Sequence, residues 1–155
     1  MKIRRARPDE APALTRLAFV SKAVWGYDAT FMEACREELS VTAAQIADPR
    51  RCFCVAESTG KRALLGFYQL DRIDEATAEL EKLFVDPEAL GQGVGRQLME
   101  HAADWARGQG LTCITVQSDP FAESFYRSVG AEKVGDKESL SIPGRLLPLL
   151  EIPLS

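Results

Sequence analysis

The run Glu79-Leu-Glu-Lys-Leu-Phe-Val85, Asp86-Pro-Glu-Ala-Leu90, Gly91-Gln-Gly-Val-Gly95-Arg-Gln-Leu-Met-Glu-His-Ala-Ala-Asp-Trp105 decides how the chain folds. Glu79, Glu81, Leu83 and Val85 alternate with period two, which predicts a strand carrying all four on one face. Pro87 ends it. Val94, Leu98, Ala102 and Trp105 then recur at helical spacing, so a helix follows. Between them stand Gly91, Gly93 and Gly95, at every second position. Lacking a Cβ, glycine reaches backbone angles closed to other residues and lets a ligand approach the main chain. A glycine loop that empties into a helix start leaves N–H groups unpaired, and the helix dipole adds about half a positive charge there. That combination binds anions, phosphate above all.

Spacing separates this loop from its rivals. A plain strand-to-helix corner needs one or two glycines, not three in alternation. A P-loop requires Lys and then Ser or Thr after its last glycine, whereas Arg96-Gln97 follows Gly95. A dinucleotide fingerprint reads Gly-x-Gly-x-x-Gly directly after its strand, with an acid about 20 residues on. Here five residues separate Val85 from Gly91, the third glycine comes one position early, and the nearest suitable acid, Asp119, comes late.

Working outward, residues 2–6 predict a first strand, and Pro8-Asp-Glu opens a helix with acids in its first turn. Leu14, Leu17, Ala18 and Ser21 form its buried stripe. After Val24-Trp25-Gly26-Tyr27-Asp28 come helical stretches over 29–38 and 42–47, stopped by Pro49. Strands follow over 51–57 and 63–71, joined by the turn Ser58-Thr-Gly-Lys61, with Leu65, Phe67 and Gln69 facing one way. Beyond the glycine-led helix, 111–117 reads as a buried strand. Ser118-Asp119-Pro120 starts a last helix, with Asp119 as cap and Pro120 at its first position. Strands over 131–136 and 146–152 complete the order β-α-α-β-β-β-α-β-α-β-β. This predicts an α/β fold, one mixed sheet with helices on both faces, as a single domain over 1–155.

Composition narrows the function. The net charge is −4 and the pI about 5.1, which argues against a nucleic-acid surface. No apolar run approaches the ~18 residues of a membrane span, and the basic N-terminus lacks an apolar signal core. Cys35, Cys52, Cys54 and Cys113 show no zinc-knuckle spacing, so no metal is expected and reduced thiols in the cytoplasm are. His101, one turn before Trp105, is read as edging the packed helix face.

The run from Leu83 to Arg96 resembles the acetyl-CoA loop of the GNAT superfamily of N-acetyltransferases, whose pattern is Gln or Arg, two residues, Gly, one residue, then Gly or Ala. A second block, Asp119-Pro-Phe-Ala-Glu-Ser-Phe-Tyr126-Arg-Ser-Val-Gly130-Ala, is similar to the family's Asn-x-x-Ala-x-x-Phe-Tyr-x-x-x-Gly-Phe signature. The two blocks stand at the family's separation, and the order of elements is that of the GNAT fold. Three positions depart: Leu90 for Gln or Arg, Asp119 for Asn, and Ala131 for Phe.

The resemblance implies acetyl transfer from acetyl-CoA to a primary amine, on a small molecule or a protein, without metal. It implies that Leu83, Phe84, Val85, Leu90, Gly91, Gln92, Gly93, Val94, Gly95, Arg96, Asp119, Ala122, Phe125 and Tyr126 hold the cofactor. Tyr126 is then the proton donor to the departing thiolate. Glu79, which matches the catalytic glutamate of the histone-acetylating branch, and Glu81 are the candidate bases. The acceptor is expected against Trp25, Tyr27 and Arg145. A non-catalytic acyl-CoA-binding regulatory domain is the alternative. Neither nucleic acid nor membrane is an expected partner, and the protein is expected to be a monomer or homodimer.

Overall fold

The computed structural model describes residues 1–154. The chain runs β1 (Lys2–Arg5), α1 (Ala11–Ala23), α2 (Ala29–Ala34), α3 (Arg36–Leu39), α4 (Ala43–Ala47), β2 (Arg51–Glu57), β3 (Leu64–Arg72) and β4 (Thr77–Val85). It continues through α5 (Val94–Gly108), β5 (Cys113–Gln117), α6 (Glu123–Ser128), β6 (Glu132–Glu138) and β7 (Leu146–Pro153). The strands form one sheet in the order β1-β2-β3-β4-β5-β7-β6. Neighbours are antiparallel except β4 and β5, which are parallel because α5 carries the chain from one to the other. Among the described residues, no helix is long and apolar enough to cross a membrane.

Each face of the sheet is covered by its own helices. In β2, Phe53 and Val55 point to one side, where Leu14, Leu17 and Ala18 of α1 pack with Met32, Cys35 and Leu39. Cys52 and Cys54 point to the other, beneath Leu98, Met99, Ala102 and Ala106 of α5. Period-two alternation in the strand thus meets helical stripes on both sides. The helical stretch expected over 29–38 is broken at Cys35, which caps α2 and leads into α3; Met32, Cys35 and Leu39 still bury along one side. His101 is half-buried on α5, its Nδ1 2.9 Å from the Tyr68 hydroxyl.

Two bulges correct the expected strand faces. Gln69 pairs with Lys82 but Leu70 pairs with Leu80, so Glu81 is an extra residue in β4. The insertion resets the alternation. Leu83 and Val85 pack towards α5 with Leu80, while Glu79 lies opposite Asp71 and Lys82 opposite Gln69 on the α1 side, with Phe84. Glu79 and Glu81 therefore do not share a face with Leu83 and Val85. In β3, Ala56 pairs with Gly66 and Glu57 with Leu64, which leaves Leu65 as the extra residue. Leu65 consequently packs on the α5 side, away from Phe67.

The β4–β5 ladder is short. It runs from Thr77 and Cys113 to Leu80 and Val116. Beyond the Glu81 bulge, β4 stays with β3 as far as Val85 opposite Gly66 and parts from β5. Gly66 allows this close approach: a Cβ there would lie 2.7 Å from Phe84 O and 3.0 Å from Leu98 Cδ1. Because one of those atoms is backbone, Gly66→Ala is expected to destabilise the protein by about 1–3 kcal/mol, as overpacking does. Urea unfolding measures it, and a midpoint matching wild type would mean that β4 can shift freely.

Candidate active site

The mouth of α5 is built by its glycines. Gly91 has φ +80° and Gly93, the N-cap, φ +79°, left-handed angles that a side chain would strain. The Asp86 carboxylate accepts from Glu88 N at 2.8 Å and sets the preceding turn. The first helical hydrogen bond runs from Gln97 N to Gly93 O at 3.1 Å, so the N–H groups of Val94, Gly95 and Arg96 have no intrahelical acceptor. Gly95 is where α5 meets the second signature block: a Cβ there would stand 3.4 Å from the Phe125 ring and 3.6 Å from Val85 Cγ2.

These elements border a cleft of about 630 Å³. One wall carries Leu83, Phe84, Val85, Leu90, Gly91, Gly93, Val94, Gly95 and Arg96; the other carries Asp119, Ala122, Phe125 and Tyr126. Gln92 is not among the lining residues. Asp86 N donates to Leu65 O at 2.8 Å, so by alternation the N–H groups of Leu83 and Val85 point away from β3, into the gap left by β5. A separate hollow of about 370 Å³ behind α5, near Met99, Ala103 and Val129, touches none of these groups.

The cleft floor on the α1 side is acidic at its centre. Glu79, Glu81 and Lys82 line it. Solvent reaches the Glu81 side chain, yet burial among the surrounding strands, then the hydrogen-bonded Glu79 carboxyl, push its acid up to about 7. Lys82 Nζ donates to Gln69 Oε1 at 3.1 Å, and the buried Gln69 donates in turn to both Asp71 oxygens at 3.0 and 3.1 Å. With a neutral amide between them, burial lowers the Lys82 ammonium and raises the Asp71 carboxyl. Neither Lys82 nor Gln69 is marked as a site residue in the sequence; the bulge in β4 sets Lys82 opposite Gln69.

Tyr126 lines the opposite wall, 7% exposed. Its phenol is held firmly protonated, by burial first and by the Asp119 charge second. Among the described residues its hydroxyl has no hydrogen-bond partner. Trp25 lines the cleft, stacked on Phe121 with centroids 5.5 Å apart. Tyr27 and Arg145 do not line it; Tyr27 donates to Asp119 and accepts from Arg145 Nη2 at 2.6 Å. Lys22 joins this group through Asp119 Oδ2 at 3.2 Å. Sequence reasoning passed over Lys22 and Phe121; both sit beside residues it did select, but their meeting depends on closing the chain.

The acetyltransferase (GNAT) family model matches residues 18–131. N-alpha-acetyltransferase RimI of Mycobacterium tuberculosis is 34% identical over 95 residues, 59% of this chain and 58% of that protein. Human N-acetyltransferase 8 is 29% identical over 125 residues, 77% of this chain and 55% of that one. The chain spans about half the length of the curated relatives it matches. A PaiA N-acetyltransferase from Thermoplasma acidophilum, solved in complex with coenzyme A, superposes with a TM-score of 0.76 at 18% identity, covering 98% of each chain. An aminoglycoside 6'-N-acetyltransferase, also complexed with coenzyme A, gives 0.72 at 15%, covering 100% of this chain and 98% of that one. At those identities the likeness is one of fold. The family match, running from within α1 to the threshold of β6, decides membership: the chain belongs to the acetyltransferase (GNAT) family.

Proposed function

We propose that the chain is an acetyl-CoA-dependent N-acetyltransferase, passing an acetyl group to a primary amine of a small molecule or a protein by direct attack in a ternary complex. One observation carries this reading: a single cleft joins the open N–H groups of α5, the β4 edge freed by β5 and the carboxylates Glu79 and Glu81. A diphosphate suits the α5 mouth, since Gly91 and Gly93 leave open space where side chains would stand. Arg96 adds a cation beside it. The β4 edge past Leu80 offers N–H and C=O groups for the amides of a pantetheine arm. Acetyl-CoA, when bound, supplies the acyl group activated as a thioester.

The chain's own residues then divide the work. An alkylammonium of pKa near 10.4 is neutral about once in 2,500 at pH 7, a deficit of roughly 4–5 kcal/mol. Removing that proton is the largest demand, and Glu81, poised at about 7, accepts it directly or through water. Burial holds Glu81 in that range, and the neighbouring Glu79 carboxyl adds to the rise. The N–H groups of Leu83 and Val85 stabilise the charge that grows on the carbonyl oxygen. Tyr126, kept protonated by burial, donates to the departing thiolate. That thiol, with pKa near 8.5, leaves readily already, so the donor's share lies at the lower end of ~10²–10⁴.

We place the protein in the cytoplasm, as a monomer or homodimer. Its four cysteines are free thiols, Cys52 and Cys54 sharing a thiol hydrogen bond with sulfurs 3.8 Å apart, which suits a reducing compartment.

Calorimetric titration with acetyl-CoA and CoA, followed by thiol release across tyramine, spermidine, an alanyl peptide and a lysyl peptide, tests the reading. Binding with no release from any amine would instead mark an acyl-CoA-binding domain without catalysis. Tyr126→Phe is expected to lower kcat by roughly a hundredfold while acetyl-CoA affinity holds; an unchanged rate with a chemistry-limited amine would retire its role. Below about 7, Glu81 holds its proton and cannot accept another. Turnover should therefore rise with pH through that point, and Glu81→Gln should flatten the rise. A rise that survives the substitution would remove Glu81 as the base and leave deprotonation of the amine itself to set the profile.

A further inference from the structure

Asp119 stands where the family's second signature carries Asn, a place expected to meet the pantetheine arm. Its carboxylate is engaged from within the chain. Oδ1 accepts from Phe121 N at 2.9 Å and from the Tyr27 hydroxyl at 3.0 Å. Oδ2 accepts from the same hydroxyl at 2.9 Å and from Lys22 Nζ at 3.2 Å, with Arg145 Nη2 at 3.8 Å. A carboxylate offers about four lone-pair sites; one amide, one hydroxyl proton shared between both oxygens and one ammonium take three of them, so at most one is left for an incoming amide.

The partners come from the end of α1 and the adjoining loop before α2, from the turn before α6 that carries Asp119 itself, and from the loop before β7. Aromatic contacts knit the same stretches. Tyr27 stacks on Phe31 at 4.0 Å, Arg145 lies 5.2 Å from the Tyr27 ring and 4.9 Å from that of Phe31, and Trp25 stacks on Phe121. Lys22, Asp119 and Arg145 side chains are only 15%, 13% and 19% exposed, so water screens the ion pairs little. Two cations share this one carboxylate. Without it they would face each other across Tyr27, and burial of unpaired charge would drive them apart.

We infer that Asp119 is a positioning residue for the acceptor half of the cleft. One carboxylate clasps these stretches and sets Trp25 against Phe121 as the wall an amine meets. The acyl donor is left to the main chain of β4 and α5. This rests on the transferase reading for what the wall receives.

The test uses Asp119→Asn, which keeps an oxygen for Phe121 N, removes the charge and replaces the Oδ2 acceptor facing Lys22 by an amide donor. Trp105→Phe makes Trp25 the remaining tryptophan, so emission and acrylamide quenching report the wall directly. Asp119→Asn is expected to shift Trp25 emission to the red and make it more quenchable. It should raise KM about tenfold or more for whichever amine of the panel wild type turns over. Acetyl-CoA affinity should stay within about twofold, because the donor is held by the main chain of β4 and α5 and not by the Asp119 carboxylate. Lys22→Met and Arg145→Met should reproduce this pattern, and Arg145→Met decides the matter if circular dichroism shows Asp119→Asn unfolded. Wild-type quenching and KM in these variants would overturn the inference. So would an acetyl-CoA affinity altered about tenfold in Asp119→Asn, which returns the residue to the pantetheine arm. If wild type binds no acetyl-CoA, the transferase reading fails, while Trp25 still judges the clasp.

Discussion

Strands β4 and β5 stop exchanging hydrogen bonds at Leu80 and Val116, and the character of the cleft follows from that break. Two features impose it. The Glu81 bulge turns the outer half of β4, which then follows β3 alone. On the other side β5 ends at Gln117 and the chain turns away through Ser118, whose N–H goes to Pro148 O at 2.9 Å. A strand edge so exposed holds amides that ask for partners. In most proteins that is a liability; at the mouth of a helix whose first turn is equally unpartnered, it becomes a continuous track of donors.

Main chain and side chains therefore answer different chemical needs. The donors at α5 and along β4 are fixed dipoles, indifferent to pH and already oriented. Carboxylates gather on the α1 face, where the bulge brings Glu79, Glu81 and Lys82 onto the floor with Gln69 and Asp71 opposite. The crowding that raises the Glu81 acid is a consequence of one inserted residue: on a regular strand, Glu81 would alternate with Lys82 and the two would part to opposite faces.

How far the sequence disclosed this arrangement depends on the range of the forces involved. The α5 mouth was legible because left-handed angles at Gly91 and Gly93 leave a residue-type signature, and so was the Asp119-Pro120 helix start. The strand over 51–57 was legible as a strand, though not its burial on both faces. The bulges were not, since Glu81 and Leu65 are ordinary strand residues; pairing with β3, and with β2 in turn, creates the irregularity. Period-two counting consequently put Glu79 with Leu83 when the sheet separates them. The break at Cys35 escaped for a similar reason, because the apolar stripe runs through it undisturbed. Tyr27 and Arg145 were selected as cleft-lining groups, but their polar ends turn to Asp119, which lies 92 positions from Tyr27, a partnership that no local pattern encodes.

The hold of β3 on outer β4 also leaves its far edge open. Pairing of Tyr68 with Leu83, Phe67 with Phe84 and Gly66 with Val85 keeps that segment in place from one edge, and Gly66 lets the two backbones press together. The gap on the other edge thus exists before anything enters it. Nothing paired across that edge has to be displaced for a main-chain group to be met there.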